Sequence, residues 1–243
     1  MNKLYAIRKI KGLSIKFGIN RVVKPFETTL LNLVYLSKLS AWEREHNNIK
    51  FDDFYNDNVK YEDRFKLHDY IFDSEGLNGA VDFYEFGVAD GTSFKYWVNK
   101  NKHIDSRFIG FDTFTGLPED FGIMKKNDYD TKGNAPDIDN DTRCYFIKGM
   151  FQDSLRQSLH YFKSKGRKVI HMDADLYSST LFVLSTIYPY LNNGDIIIFD
   201  EFAVPTHEFK AFTEFTSAFS VNYEIIGAIN NYLQIAIKIQ GGR

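Results

Sequence analysis

Two aspartates flank a single alanine in the stretch His171-Met172-Asp173-Ala174-Asp175-Leu176-Tyr177. Lys168 to Met172, just before them, read as a short buried strand, and strand side chains two apart share a face. Both carboxylates would then point the same way. Two anions held together in a partly dry site need a cation, a shared proton or an open route to water. The pair therefore reads as part of a chemical site, with Asp175 and Asp173 as its candidate members.

A second constellation lies upstream, in Glu85-Phe86-Gly87-Val88-Ala89-Asp90-Gly91-Thr92-Ser93. Gly87 and Gly91 allow a tight turn and close approach of a ligand, and Thr92 and Ser93 open a helix whose N-terminus favours anionic groups. A dinucleotide fingerprint would read G-x-G-x-x-G; here the spacing is G-x-x-x-G, with Glu85 two residues ahead of the first glycine. That favours a cofactor without a pyrophosphate, and Glu85 can face a cationic amine. Twenty-one positions past Gly91, the run Phe108-Ile109-Gly110-Phe111 ends in Asp112, followed by Thr113. A carboxylate there can accept hydrogen bonds from ribose hydroxyls, as in nucleotide-binding α/β folds. Glycine turn, upstream acid and ribose acid, in that order, point to S-adenosylmethionine; the plainer reading makes both glycines simple turn residues.

The elements that must position these groups alternate. Apolar runs at 82–88, 107–111, 144–148, 168–173 and 195–200 read as strands separated by amphipathic stretches, the pattern of a parallel α/β sheet. Leu176, Leu181, Leu184, Ile187 and Leu191 follow helical spacing up to Asn193-Gly194. Tyr223–Ile229 and Leu233–Ile239 flank Asn230-Asn231, a pair that suits a tight hairpin turn. Phe209, Phe212, Phe215 and Phe219 form a stripe that belongs to a core. Residues 113–143 are acidic and rich in Asn and Gly, with little to pack, and read as a lid loop. Residues 1–75 read as an N-terminal helical extension and 76–243 as the main domain.

The chain has 243 residues, 44% hydrophobic and 26% charged, which suits one domain with a sizeable core. Its net charge of −2 argues against a protein whose main business is gripping nucleic-acid phosphates. The single cysteine, Cys144, excludes an internal disulfide, and the six histidines lack paired helical spacing, so any metal must lean on oxygen ligands. Neither a signal peptide nor a run long enough to cross a bilayer is visible, which makes the cytoplasm the expected compartment. From Met1 to Phe26 there are seven basic residues and no acidic one, interleaved with apolar side chains. This segment reads either as solvated or as a peripheral contact with an anionic membrane or a partner.

Three stretches together resemble the macrocin and novobiocin sugar O-methyltransferases, the TylF family. They are Tyr84-Glu85-Phe86-Gly87-Val88 through Gly91-Thr92-Ser93, Gly110-Phe111-Asp112-Thr113-Phe114-Thr115-Gly116-Leu117-Pro118-Glu119, and His171 to Tyr177 with Ser179-Thr180. The resemblance spans residues 80 to 202 and leaves the first 75 unexplained. It implies a class I methyltransferase fold: α/β and Rossmann-like, a seven-stranded, mostly parallel sheet with a C-terminal antiparallel hairpin and helices on both faces. It also implies Mg²⁺-assisted methyl transfer from S-adenosylmethionine to a sugar hydroxyl. By position, Asp173, Asp200 and Glu201 would hold the metal and Asp175 would be the general base. Asp173 would also touch the cofactor, and Gly149 and Phe151 fall where class I methyltransferases surround adenine. Where the family has Asp-Asp this chain has Asp200-Glu201, one methylene longer, and Mg²⁺ is strict about geometry.

The expected acceptor is a sugar-containing small molecule, glycolipid or glycan. Two other readings stay open: a phenolic or catechol acceptor for the same chemistry, and a non-catalytic cofactor-binding subunit with a structural acidic cluster. A homo-oligomer is compatible with all three.

Overall fold

In the computed structural model, which describes residues 3–46 and 48–241, seven strands form one sheet. They are β1 (Val81–Phe86), β2 (Arg107–Asp112), β3 (Cys144–Lys148), β4 (Arg167–Met172), β5 (Ile196–Phe199), β6 (Asn222–Ile229) and β7 (Gln234–Gln240). The order is β3-β2-β1-β4-β5-β7-β6; the first five are parallel, and β7 pairs antiparallel with β5 and β6. This is the expected sheet with its closing hairpin.

The strands are hydrophobic in long runs because helices cover both faces. Along β1 the pleat sends Phe83 into one core with Val169, Ile196 and Ile198, under α4 (Arg64–Ser74) and α5 (Thr92–Lys100). Tyr84 and Phe86 enter the other, with Ile170, Met172, Ile197 and Phe199. That second core lies under α6 (Phe151–Gln157), α7 (Tyr177–Ile187) and α8 (Glu208–Phe219). Phe209, Phe212 and Phe215 of the α8 stripe are buried there. α3 (Glu27–Glu45) adds Tyr35 and Trp42, the Tyr35 hydroxyl donating to Glu214 of α8 and the Trp42 indole to the Tyr223 hydroxyl. Ahead of α3 run α1 (Lys3–Lys16) and the short α2 (Asn20–Val23), neither with a buried side chain. Among the described residues no helix is long and apolar enough to cross a membrane.

Three expectations need correction. The periodicity placed Leu191 in the helix after the aspartates, but α7 ends at Ile187 because Pro189 cannot continue it, and a single 3₁₀ turn follows. Asp173 and Asp175 do not share a strand: β4 stops at Met172, and Asp175 sits at φ +55°, in the left-handed region. Whatever brings the two carboxylates together is a turn and not the pleat. Segment 113–143 holds no helix or strand, but it is packed. Phe114 is buried against the α5 side of the sheet, and Leu117 and Phe121 pack with Leu176.

Candidate active site

β1 neighbours β2 on one side and β4 on the other, so the chain leaves these two central strands in opposite directions and a crevice opens at their carboxyl ends. The ladder runs one residue past the strands: Gly87 N–H donates to Phe111 O, Asp173 N–H to Phe86 O and Asp200 N–H to Met172 O, each at 3.0 Å. Those three bonds deliver the glycine turn and both acidic stretches to one place. A cavity of about 680 Å³ fills the crevice, within the range of small-molecule sites.

Of the residues expected at the site, Gly87, Thr92, Ser93, Asp112, Thr113, Phe151, Asp173, Asp175 and Glu201 line this cavity. Glu85, Gly91, Gly149 and Asp200 are not in its wall. Glu85 is fully buried, accepts the Ser93 hydroxyl and lies 3.6 Å from His171, so in this structure it does not present its charge to a ligand amine. Gly91, at φ +79°, abuts Pro136 of the 113–143 segment. Gly149 donates its N–H to Asp112 O. Asp112 reaches the cavity, but its carboxylate also accepts the backbone N–H groups of Val88, Ala89 and Phe114, which ties the turn after β1 to the turn after β2. The segment 113–143 contributes Thr113, Met124, Tyr129 and Thr131, among others, to the wall.

The acids divide into two groups by their charge environment. Burial and neighbouring carboxylates push Asp175 up to about 7 and Glu201 up to about 8, and hold Asp173 well above the usual carboxylate range. Asp200 behaves oppositely. Burial works against its charge, but His171, Arg64 and Tyr61 outweigh it and hold the carboxyl below its ordinary value. The Arg64 guanidinium lies 3.8 Å from Asp200 and stacks 3.9 Å from the Tyr61 ring, while the Tyr61 hydroxyl donates to the same carboxylate oxygen. On the other side the His171 ring stands 3.7 Å from Asp200 and 3.6 Å from Glu85. Burial favours the neutral ring, yet Asp200 and Glu85 beside it push it up to about 10.

A divalent cation fits this donor set only in part. Asp173, Asp175 and Glu201 line the cavity, no cationic side chain among the described residues is found in an ion pair with them, and burial and neighbouring carboxylates raise all three. Asp200 is out of reach behind Arg64 and Tyr61. Among the described residues, the acids and histidines whose ligand atoms converge are Glu85, His171 and Asp173, of which Asp173 alone lines the cavity. Of the expected trio, Asp173 and Glu201 line the cavity and Asp200 does not.

Tyr61 and Arg64 carry no spacing signal in the sequence, since they stand more than 100 residues ahead of the acid they meet. Removing one partner of a buried pair costs about 3–5 kcal/mol because the other charge is left stranded. Arg64→Met is therefore expected to lower the unfolding free energy by about 3 kcal/mol. Asp200→Asn in the same background is expected to restore part of it, with a coupling energy above about 1 kcal/mol in chemical denaturation. Additive effects would mean that the pair is not coupled. Glu208 was equally hidden: an acid opening a helix usually sits in solvent. Here it is fully buried, pushed well above its normal range, and accepts the Glu201 N–H at 2.9 Å, fixing the backbone of that candidate ligand.

The sheet order and the crevice with its acidic rim define a class I methyltransferase fold. Within that class the model of the TylF family, macrocin-O-methyltransferase, matches residues 72–232, and the chain belongs to this family of O-methyltransferases. Among solved structures, the calicheamicin methyltransferase CalS11 aligns with a TM-score of 0.53 and 19% identity, over 87% of this chain and 92% of its own. The O-methyltransferase NovP aligns at 0.54 and 18%, over 88% and 99%. At such identities the likeness is one of fold. No curated protein sequence matches the chain.

Proposed function

We propose that the protein transfers a methyl group from S-adenosylmethionine to a sugar hydroxyl, with Asp175 as general base and a divalent cation held by Asp173 and Glu201. The observation that carries this reading is Asp175 itself. It is a cavity-facing carboxylate in a left-handed turn, pushed up to about 7, on the same cavity as the glycine turn after β1. A sugar hydroxyl is a poor nucleophile at neutral pH and needs its proton removed, and a base poised near the working pH does this best. The left-handed backbone at a non-glycine residue is a strain that structures tolerate mainly where it sets a functional side chain.

The chain's residues have separable tasks. Gly87, Thr92, Ser93, Asp112, Thr113 and Phe151 shape the cofactor half of the cavity. The 113–143 segment covers its outer side as a lid, limiting water. Asp175 accepts the hydroxyl proton as the oxygen takes the methyl group. Asp200, with Arg64 and His171, fixes the end of β5 so that Glu201 stays aimed at the cavity. Bound at Asp173 and Glu201, a divalent cation would lower the acceptor hydroxyl's pKa and orient two neighbouring oxygens. The two aligned structures are those of a calicheamicin methyltransferase and an O-methyltransferase. Together with the family, they favour a sugar on a nucleotide, glycolipid or glycosylated metabolite.

The test is an acceptor screen read by mass spectrometry, with nucleotide sugars, glycans and catechols, each with Mg²⁺ or with chelator. The expected result is a singly methylated sugar whose formation falls about a hundredfold or more on chelation, the order of effect of losing one positioned catalytic group. Methylation of catechols alone would transfer the reading to phenolic acceptors. Full turnover in chelator would remove the cation from it.

A further inference from the structure

We infer that α1 and the turns after it form a docking surface for an anionic lipid bilayer. None of the described residues of α1 is buried, although the helix is rich in large apolar side chains. Ile7, Ile10 and Leu13 are 54%, 65% and 43% exposed. At 100° per residue they fall with Ala6 in an arc of about 120°, interrupted by Ser14 and, at the helix's first residue, Lys3. Lys9 and Lys11 stand at the two edges of that arc, with Arg8 and Lys16 behind. The apolar surface continues through Phe17, Ile19, Val22 and Phe26, all exposed.

Charge decides what covers this face. The first 26 residues hold seven of the chain's 30 basic side chains and none of its 32 acidic ones, so they carry +7 and the remaining residues −9. A two-fold contact between copies of this segment would set its cations against one another. Five of the seven cations are lysines, a residue depleted from protein interfaces. Lysines edging an apolar arc are what a helix lying in a bilayer surface requires. Their stems extend along the acyl boundary while the ammonium groups reach the headgroups. The −9 on the rest of the chain is repelled by the same surface, so attachment is confined to the N-terminal segment.

The inference does not depend on the proposed reaction, because binding is read without turnover. The experiment is co-sedimentation of the full chain with vesicles of phosphatidylcholine alone or mixed with phosphatidylglycerol, at low and high salt. Sedimentation velocity without lipid runs in parallel. Binding is expected only to the anionic vesicles and is expected to weaken with salt. The triple variant Lys9→Gln, Lys11→Gln, Lys16→Gln is expected to bind about a hundredfold more weakly, at about 1 kcal/mol per lysine. Ile10→Asp is expected to abolish binding, and since none of these side chains is buried the variants should fold as the parent does. The proposal is overturned if the parent does not bind anionic vesicles or binds neutral ones equally. It is also overturned if Ile10→Asp dissociates a lipid-free oligomer while vesicle binding persists, which would assign the face to a second copy of the chain.

Discussion

Asp175→Asn is expected to lower kcat by about a thousandfold while S-adenosylmethionine binding stays unchanged, since general bases contribute about 10²–10⁴ in rate. The substitution keeps size and hydrogen-bonding capacity but cannot take a proton. Asparagine also tolerates the φ of +55° that Asp175 adopts, so the turn should survive where alanine would add strain. The pH dependence has a defined sign. Burial, then Asp200 and Asp112, push this carboxyl from its ordinary value up to about 7. Only the ionised form is a base, so kcat/KM should rise through about pH 7 and fall tenfold per unit below it. The same shift acts oppositely on folding. The folded state holds the proton more tightly than the unfolded chain, so this group's contribution to stability declines between about pH 4 and pH 7 as the solution becomes more alkaline. A cation between Asp173 and Glu201 would favour the ionised form and move the kinetic limb to lower pH. A variant with full kcat, or a profile flat across neutrality, would remove Asp175 from the base role.

What was legible in the sequence followed periodicity. The strands, the hairpin around Asn230-Asn231 and the α8 phenylalanines were readable because alternation and 3.6-residue spacing are local properties. The crevice was readable in outline, because parallel strands ending in glycine or aspartate can only present them at their carboxyl ends. The partners of the acids were not. Arg64 and Tyr61 reach Asp200 from 136 and 139 residues away, and no spacing rule connects a helix start in the extension to the end of β5. His171 carries no signal of its own in the sequence; only the fold sets it between Glu85 and Asp200. Asp112 shows a related limit. The acid was found at its place, but that it would bind three backbone amides of its own chain follows from how two turns meet. Likewise, position along the chain cannot reveal that the Arg64 guanidinium stands 3.8 Å from Asp200, one member of the expected metal trio.

Gly87→Ala is expected to be the most damaging single-methyl change in the molecule. An added Cβ would lie 1.8 Å from the Asp173 carbonyl oxygen, with the backbone at φ +93°. The carbonyl is main chain and the Cβ is fixed rigidly to main chain, both held by strand pairing, Gly87 N–H to Phe111 O and Asp173 N–H to Phe86 O, so no side chain can swing away to relieve it. Overpacking alone costs about 1–3 kcal/mol and a left-handed backbone about 1–2 more, which together suggest a loss of about 3 kcal/mol. In a chain of this size that is a fall in Tm of about 6–12 °C. Gly91→Ala supplies the contrast. Its φ is +79° and its Cβ would meet Pro136 at 2.6 Å, but that obstacle is a side chain of the 113–143 segment, which can shift without disturbing the sheet. Gly91→Ala should therefore cost less stability than Gly87→Ala in parallel thermal and denaturant unfolding, while calorimetry finds cofactor binding weakened in both. The comparison separates two uses of glycine. If Gly87 served only to let a ligand approach, its alanine variant would fold normally and lose binding alone. The contact with Asp173 requires loss of both, because the glycine is what allows the ends of β1 and β4 to converge, and that convergence sets the position of Asp173 and, two residues on, of the base.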